Sequence, residues 1–228
     1  MRKATVLVIA VCLLFAQSAL AANPVRISQV YGGNGNTYNQ DYVELYNSSG
    51  SDINISGWSL QYGSATGTAD LGACTLCLTT LPANTVIKGC SYFLVGLVKG
   101  TVGANLPVTP DFEVPSGNNI SSTNGKIGLK ADANTTPCSP QSAFVDLVGW
   151  GSANCSEGTP TPALSATSAA LRNNGGMDDT DINSADFTIV TAPATFEPRN
   201  STSPINPLCT PVPVTPVNWS NVKVLYRD

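Results

Sequence analysis

No stretch of this chain keeps a helical period long enough for a helix bundle or a layered α/β sheet. Short runs rich in Val, Ile, Leu, Tyr and Phe are instead broken every few residues by Gly, Asn, Pro and Ser. That punctuation predicts an all-β fold of the sandwich type. The runs fall at 25–31, 41–46, 58–62, 78–81, 92–95, 126–129 and 144–148, followed by 169–172 and 187–190. In 41–46, Val43 and Leu45 share one face and Tyr42, Glu44 and Tyr46 the other, as the two-residue period of a strand requires. Glu44 is therefore expected on the outer face, solvated or paired with Arg172. In 58–62, Trp58, Leu60 and Tyr62 lie on one face, and Trp58, behind Gly57, is the expected core anchor. The Gly- and Asn-rich loop 32–40 can adopt positive φ; it lacks the helix and the Lys-Ser/Thr ending of a phosphate loop. The long loop 98–124, with Pro107, Pro110 and Pro115, is expected to wrap a sheet edge.

The ends differ from the middle. Arg2 and Lys3, an apolar run too short to span a bilayer, and Ala19-Leu20-Ala21 have the layout of a signal peptide, expected over 1–21. With Arg2 and Lys3 removed, the net charge moves from −4 to about −6. The remaining basic residues are scattered, so direct nucleic-acid binding is not expected. No later segment is apolar enough to span a membrane, and the expected location is secreted, cell-surface or periplasmic. The sandwich domain is expected over 22–209, a Pro-rich linker of about 25 Å over 210–217 at ~3.1 Å per residue, and a short amphipathic tail over 218–228. In that tail Trp219, Val222 and Tyr226 recur at helical spacing.

Six cysteines remain after the leader: Cys74, Cys77, Cys90, Cys138, Cys155 and Cys209. An even number in an exported chain predicts disulfides, and six allow 15 pairings. Two pairings have a local rationale. Cys77 and Cys90 lie equidistant from a turn at Ala83-Asn84, and Cys138 and Cys155 bracket one strand. The rival reading of Cys74-Thr75-Leu76-Cys77 is a redox or zinc motif; the first wants a βαβ unit and the second needs another ligand pair, and the chain has no His.

Several blocks, in order, resemble the lamin tail domain in its bacterial secreted form. They are Ile27-Ser28-Gln29-Val30-Tyr31-Gly32-Gly33, Asp41-Tyr42-Val43-Glu44-Leu45-Tyr46-Asn47 and Ile55-Ser56-Gly57-Trp58-Ser59-Leu60-Gln61-Tyr62. Further on come Asp146-Leu147-Val148-Gly149-Trp150-Gly151, the acidic block 178–187, and Pro198-Arg199-Asn200-Ser201. The resemblance runs from about Val25 to Cys209. It implies an immunoglobulin-like β-sandwich, a domain found alone or beside nucleases, phosphatases and surface repeats, with no activity of its own assigned.

The residues point the same way. Without His there is no Ser-His-Asp or Cys-His set, and no Gly-x-Ser-x-Gly motif appears; the one Ser-x-x-Lys spacing, Ser220 to Lys223, falls in the tail beyond the expected domain. No catalytic residue and no cofactor is assigned. One cluster could hold a hard cation: Asp179, Asp181, Asn183 and Asp186 offer oxygens of the kind calcium takes, although the block is no EF-hand loop. The alternative is a turn capped by Asp and Asn side chains. The expected function is a non-catalytic binding or structural module for a protein or cell-surface component. Two alternatives stand beside it. A carbohydrate-binding module would need Trp150, Tyr31 and Tyr38 exposed, and an accessory to an extracellular nuclease or phosphatase would rest on the family's domain partners.

Overall fold

The structure, a computed structural model, describes residues 23–117, 119–191 and 197–210. The expected leader (1–21), the linker after Thr210 and the tail (218–228) lie outside the described residues. Twelve strands follow in order: β1 (Val25–Tyr31), β2 (Gln40–Asn47), β3 (Ile53–Asn54), β4 (Ser59–Ser64), β5 (Leu78–Thr80), β6 (Val86–Ile87), β7 (Tyr92–Lys99), β8 (Phe112–Glu113), β9 (Gly125–Lys130), β10 (Asp146–Trp150), β11 (Ser168–Arg172) and β12 (Phe187–Thr191). A single helical turn, α1, occurs at Asn183–Asp186, and Asn173–Gly176 is a tight turn with Asn174 and Gly175 at positive φ.

The strands form a six-stranded sheet in the order β12-β11-β1-β2-β7-β8, a four-stranded sheet in the order β10-β9-β4-β5, and a small pair, β3-β6. All pairings are antiparallel except β7 with β8. This is the expected all-β, immunoglobulin-like sandwich. Each of the nine expected runs carries a strand. The three strands not foreseen, β3, β6 and β8, are two residues each, too short to show a period. The 98–124 loop does cover a sheet edge, through β8 lying along β7.

The core joins Ile27, Val30, Val43, Leu45 and Val95 of the large sheet to Leu60, Ile127, Leu129, Val148 and Trp150 of the small one. Ile27 and Val30 both reach it because β1 carries a bulge. Pairing jumps from Ile27 with Leu45 to Gln29 with Glu44, leaving Ser28 as the extra residue and reversing the alternation.

The anchor is Trp150 rather than Trp58. Trp150 is fully buried, donates Nε1–H to the Ser121 carbonyl at 3.2 Å, and lies 6.3 Å from the Tyr62 ring. Trp58 sits one residue before β4 begins and is only half-buried against the same core. Gly125, paired with Trp150 across the ladder, makes room for the indole; a Cβ there would lie 2.5 Å from the Trp150 ring. Gly125→Ala is therefore expected to cost about 1–3 kcal/mol, as overpacked cores do. A melting temperature equal to wild type would contradict this.

All six cysteines pair: Cys74–Cys77, Cys90–Cys209 and Cys138–Cys155. The bridge around Ala83-Asn84 does not form, because no hairpin exists there. β5 joins β4 in one sheet while β6 joins β3 in another, so Cys77 and Cys90 are not opposite each other.

Candidate functional site

The densest charged chemistry gathers around Arg172, the last residue of β11. Its guanidinium is wholly buried beside β1, the start of β10 and the acidic block. Nε–H donates to the Ile27 carbonyl at 2.8 Å, and Nη2 donates to both Asp146 oxygens at 2.8 Å. Nη1 donates to the Asp178 carbonyl at 3.0 Å and to Asp179 Oδ1 at 3.1 Å, while Asp186 lies 3.7 Å away. The Phe187 ring sits 4.5 Å from the guanidinium carbon. Three nitrogens in one plane donating to Ile27, Asp146 and Asp178, with a ring against the same group, is geometry that a planar guanidinium satisfies and an ammonium does not. Asp146 also accepts the Ile27 N–H at 2.5 Å, so this pair fastens β10 of one sheet to β1 of the other.

Three of the four residues expected to suit calcium, Asp179, Asn183 and Asp186, have oxygens engaged with protein partners. Asp179 is paired to Arg172 and, at 3.5 Å, to Arg26. Asp186 accepts from the Thr180 N–H and hydroxyl and from the Ile182 N–H, capping its own turn. Asn183 accepts the Gly149 N–H at 2.8 Å and donates to the Leu147 carbonyl at 3.0 Å, so it holds β10. Asp181 is exposed, at φ +58°. Asp186 thus caps this turn. Among the described residues, the acidic side chains whose oxygens do converge, within 4.8 Å, are Asp146, Glu157 and Asp179. Sequence reasoning misses Glu157, since nothing local links it to the acidic block.

Glu157 accepts the Leu147 N–H and an Asn183 amide hydrogen, both at 3.2 Å. Burial first, then the negative charge of Asp146, pushes its carboxyl up to about 9. Folded Glu157 therefore keeps a proton that the unfolded chain releases above about 4.5, so this group's stabilisation is present at acid pH and fades as pH rises toward about 9. Glu157→Gln, which imitates the protonated acid, is expected to flatten the fall of stability across that window. Urea midpoints from about pH 5 to 8 test this, and parallel curves for the two proteins would refute it.

Beside this cluster lies an open cleft of about 390 Å³. Gln141, Ser142, Val145, Glu157, Asp179 and Asp181 line it. At the far end of the large sheet, buried Asp41 accepts the Asn34 N–H at 2.7 Å and the Ile120 N–H at 2.9 Å, tying loop 32–40 to loop 98–124. Burial raises its carboxyl to about 6 against the pull of those two bonds. Gly32 has its role here, since a Cβ would meet the Ser121 carbonyl oxygen at 2.6 Å.

Glu44 differs from both sequence expectations. It is fully buried and pairs with Arg199, not Arg172. Arg199 reaches it with Nη2 at 2.7 Å and its backbone N–H at 2.6 Å, and Ser28 donates a hydroxyl at 2.5 Å. The outer face of the large sheet is covered by the chain's own C-terminal segment, which the pattern of β2 alone does not reveal.

A family model described as Lamin Tail Domain matches residues 18–175. The chain belongs to the lamin tail domain family. The match ends just after β11, short of Cys209, so in this lamin tail domain β12 and the Arg199 segment lie past the matched span. A solved structure of a DUF4876 family protein from Bacteroides thetaiotaomicron VPI-5482 shares the fold, with a TM-score of 0.52 and 13% identity over 73% of this chain and 71% of that one. No curated protein matches the chain.

The aromatics that sugar stacking would need are turned inward in this lamin tail domain. Trp150 and Tyr31 have no exposed surface and Tyr38 has 4%. Tyr31 stacks on Tyr42, with ring centres 5.4 Å apart. Among the described residues no helix is long and apolar enough to cross a membrane.

Proposed function

We propose that this lamin tail domain is a secreted, non-catalytic binding module that receives a cationic group of a protein or cell-surface partner in its acidic cleft. The observation that carries the reading is the cleft beside Arg172. Exposed Asp181 stands at its rim with Asp179 behind it, and Glu157, which keeps its proton at neutral pH, joins Gln141 and Ser142 as a neutral hydrogen-bonding group. Arg172 and Arg26 face Asp146, Asp179 and Asp186. The acids outnumber the bases, so the opening favours a lysine- or arginine-like visitor. The perturbed groups here hold strands together through satisfied bonds, and the chain has no His to act as a base at neutral pH. Secretion is supported by the leader-like pattern of 1–21 and by three disulfides.

The test is retention of the mature protein on cell-envelope fractions, compared with Asp181→Asn and Ser142→Lys. Both positions are exposed, so folding should be preserved. Retention is expected to fall by up to about fivefold in each variant, the scale of an exposed ion pair, and to weaken with salt. Wild-type retention unchanged by both substitutions would remove the cleft from the reading, and no retention at all would remove the binding role.

A further inference from the structure

The three disulfides are not equivalent. Cys90–Cys209 joins residues 119 apart in sequence, and both cysteines are buried. Cys138–Cys155 spans 17 residues, with both cysteines half-buried against Leu71, Phe144 and Leu147. Cys74–Cys77 spans three, and its two ends differ: Cys74 is exposed, while Cys77 is buried at 3%. Between them Leu76 is held at φ +67°, a left-handed conformation that costs a residue with a Cβ. Closing so short a ring removes little entropy from the unfolded chain, so the fold gains least from this bridge. Exposed bridges of low structural value are the ones that exchange with thiols.

We propose that Cys74–Cys77 is a thiol-exchange site for low-molecular-weight thiols, with Cys74 as the sulfur attacked and Cys77 as the sulfur released. The attacking thiolate forms a bond to Cys74 Sγ. The Cys74–Cys77 bond breaks, and its electron pair leaves on Cys77 Sγ, which takes up a proton. A second thiolate then attacks the small molecule's sulfur in the mixed disulfide, releasing the oxidised small disulfide and Cys74 as a thiolate that is protonated in turn. Two thiols are oxidised to one disulfide, and the protein pair gains two electrons and two protons. Access fixes the direction, because Cys77 is buried whereas Cys74 is exposed. A cleft of about 210 Å³, bordered by Cys74, Tyr62, Asp70 and Lys126, gives a small thiol a place to approach. Opening the ring also frees Leu76 from its left-handed backbone.

The experiment uses the folded, oxidised protein in a graded series of reduced and oxidised glutathione at neutral pH, followed by acid quenching, alkylation and peptide mapping. Cys74 and Cys77 are expected to become labelled at least about tenfold faster than the other four cysteines, with the glutathionyl group on Cys74. The variant Cys77→Ser should accept glutathione at Cys74, and Cys74→Ser should leave Cys77 unmodified while the domain stays folded. Reduction of Cys138–Cys155 or Cys90–Cys209 first, or an adduct on Cys77, would overturn the proposal. The wild-type mapping decides it even if either variant fails to fold.

Discussion

Replacing Arg172 with methionine is expected to cost about 3–5 kcal/mol at neutral pH, the range typical when one partner of a buried ion pair is removed. Folded domains are stable by about 5–15 kcal/mol, so the variant should sit near the edge of folding. Methionine fills much of the space, and the loss is therefore electrostatic. Asp146, 3% exposed at its side chain, and Asp186, 1% exposed, would be left buried without the guanidinium that faces them. Arg172→Lys should recover only part of the loss, since an ammonium cannot span both Asp146 oxygens and also reach the Ile27 and Asp178 carbonyls. The pH dependence separates this account from simple packing. Burial raises the carboxyl of Asp179 and the Arg172 charge pulls it back down, so without Arg172 the folded state holds that proton to higher pH and the gap between variant and wild type should narrow as pH falls from about 7 toward about 4. Urea denaturation across that range measures it, with Asp146→Asn added to Arg172→Met as the compensating double variant. A gap below about 1 kcal/mol at neutral pH, or one that stays constant with pH, would mean that Arg172 matters only as volume.

The sandwich is legible in the sequence because its strands alternate. Val43 and Leu45 opposite Tyr42, Glu44 and Tyr46 is a local pattern, and β2 follows it. Which face meets water is a different question, since burial depends on what another part of the chain lays over it. Tyr42 and Tyr46 are buried with Glu44 because loops and the C-terminal segment cover them. The same limit hides the site. The acidic block is visible as a string of oxygens, and turn capping is one of its two readings. The basic centre it surrounds comes from β11, and Glu157 and Asp146 arrive from elsewhere in the chain. Trp58 stands out over Trp150 as an anchor because it belongs to a clear alternating run, whereas the depth of Trp150 depends on Gly125, a neighbour only across the ladder. Among the cysteines, Cys138–Cys155 follows from bracketing one strand. Cys90–Cys209 does not, because it joins the turn before β7 to a segment that has no strand of its own.

That last bridge leads to the second large effect. Residues 197–210 act as a clasp over the large sheet, held at one end by Arg199 in the Glu44 pocket and at the other by Cys209 on Cys90. Arg199→Met is expected to cost about 3 kcal/mol, the lower end of the range for broken buried pairs. The reason for the lower end is that Glu44 keeps the Ser28 hydroxyl and the backbone N–H of residue 199. The guanidinium also lies 3.8 Å above the Tyr92 ring and donates to its hydroxyl at 2.8 Å, and methionine can replace neither interaction in full. Cys209→Ser with Cys90→Ser should cost about 4–5 kcal/mol if chain entropy dominates, since the closed loop is long. The two losses should not add. Once the bridge is gone, the clasp can lift as a unit, and Arg199 then contributes only in the fraction of molecules where it remains seated. A double-mutant cycle by thermal or urea unfolding measures the coupling, and strict additivity would show that the two fastenings stabilise separate parts of the fold. A coupled result would carry a consequence for the domain itself. Truncation after residue 191 should then expose Glu44, Tyr46 and Tyr92 together and yield a protein that does not stay folded, although the truncated chain still contains the whole span matched by the family model.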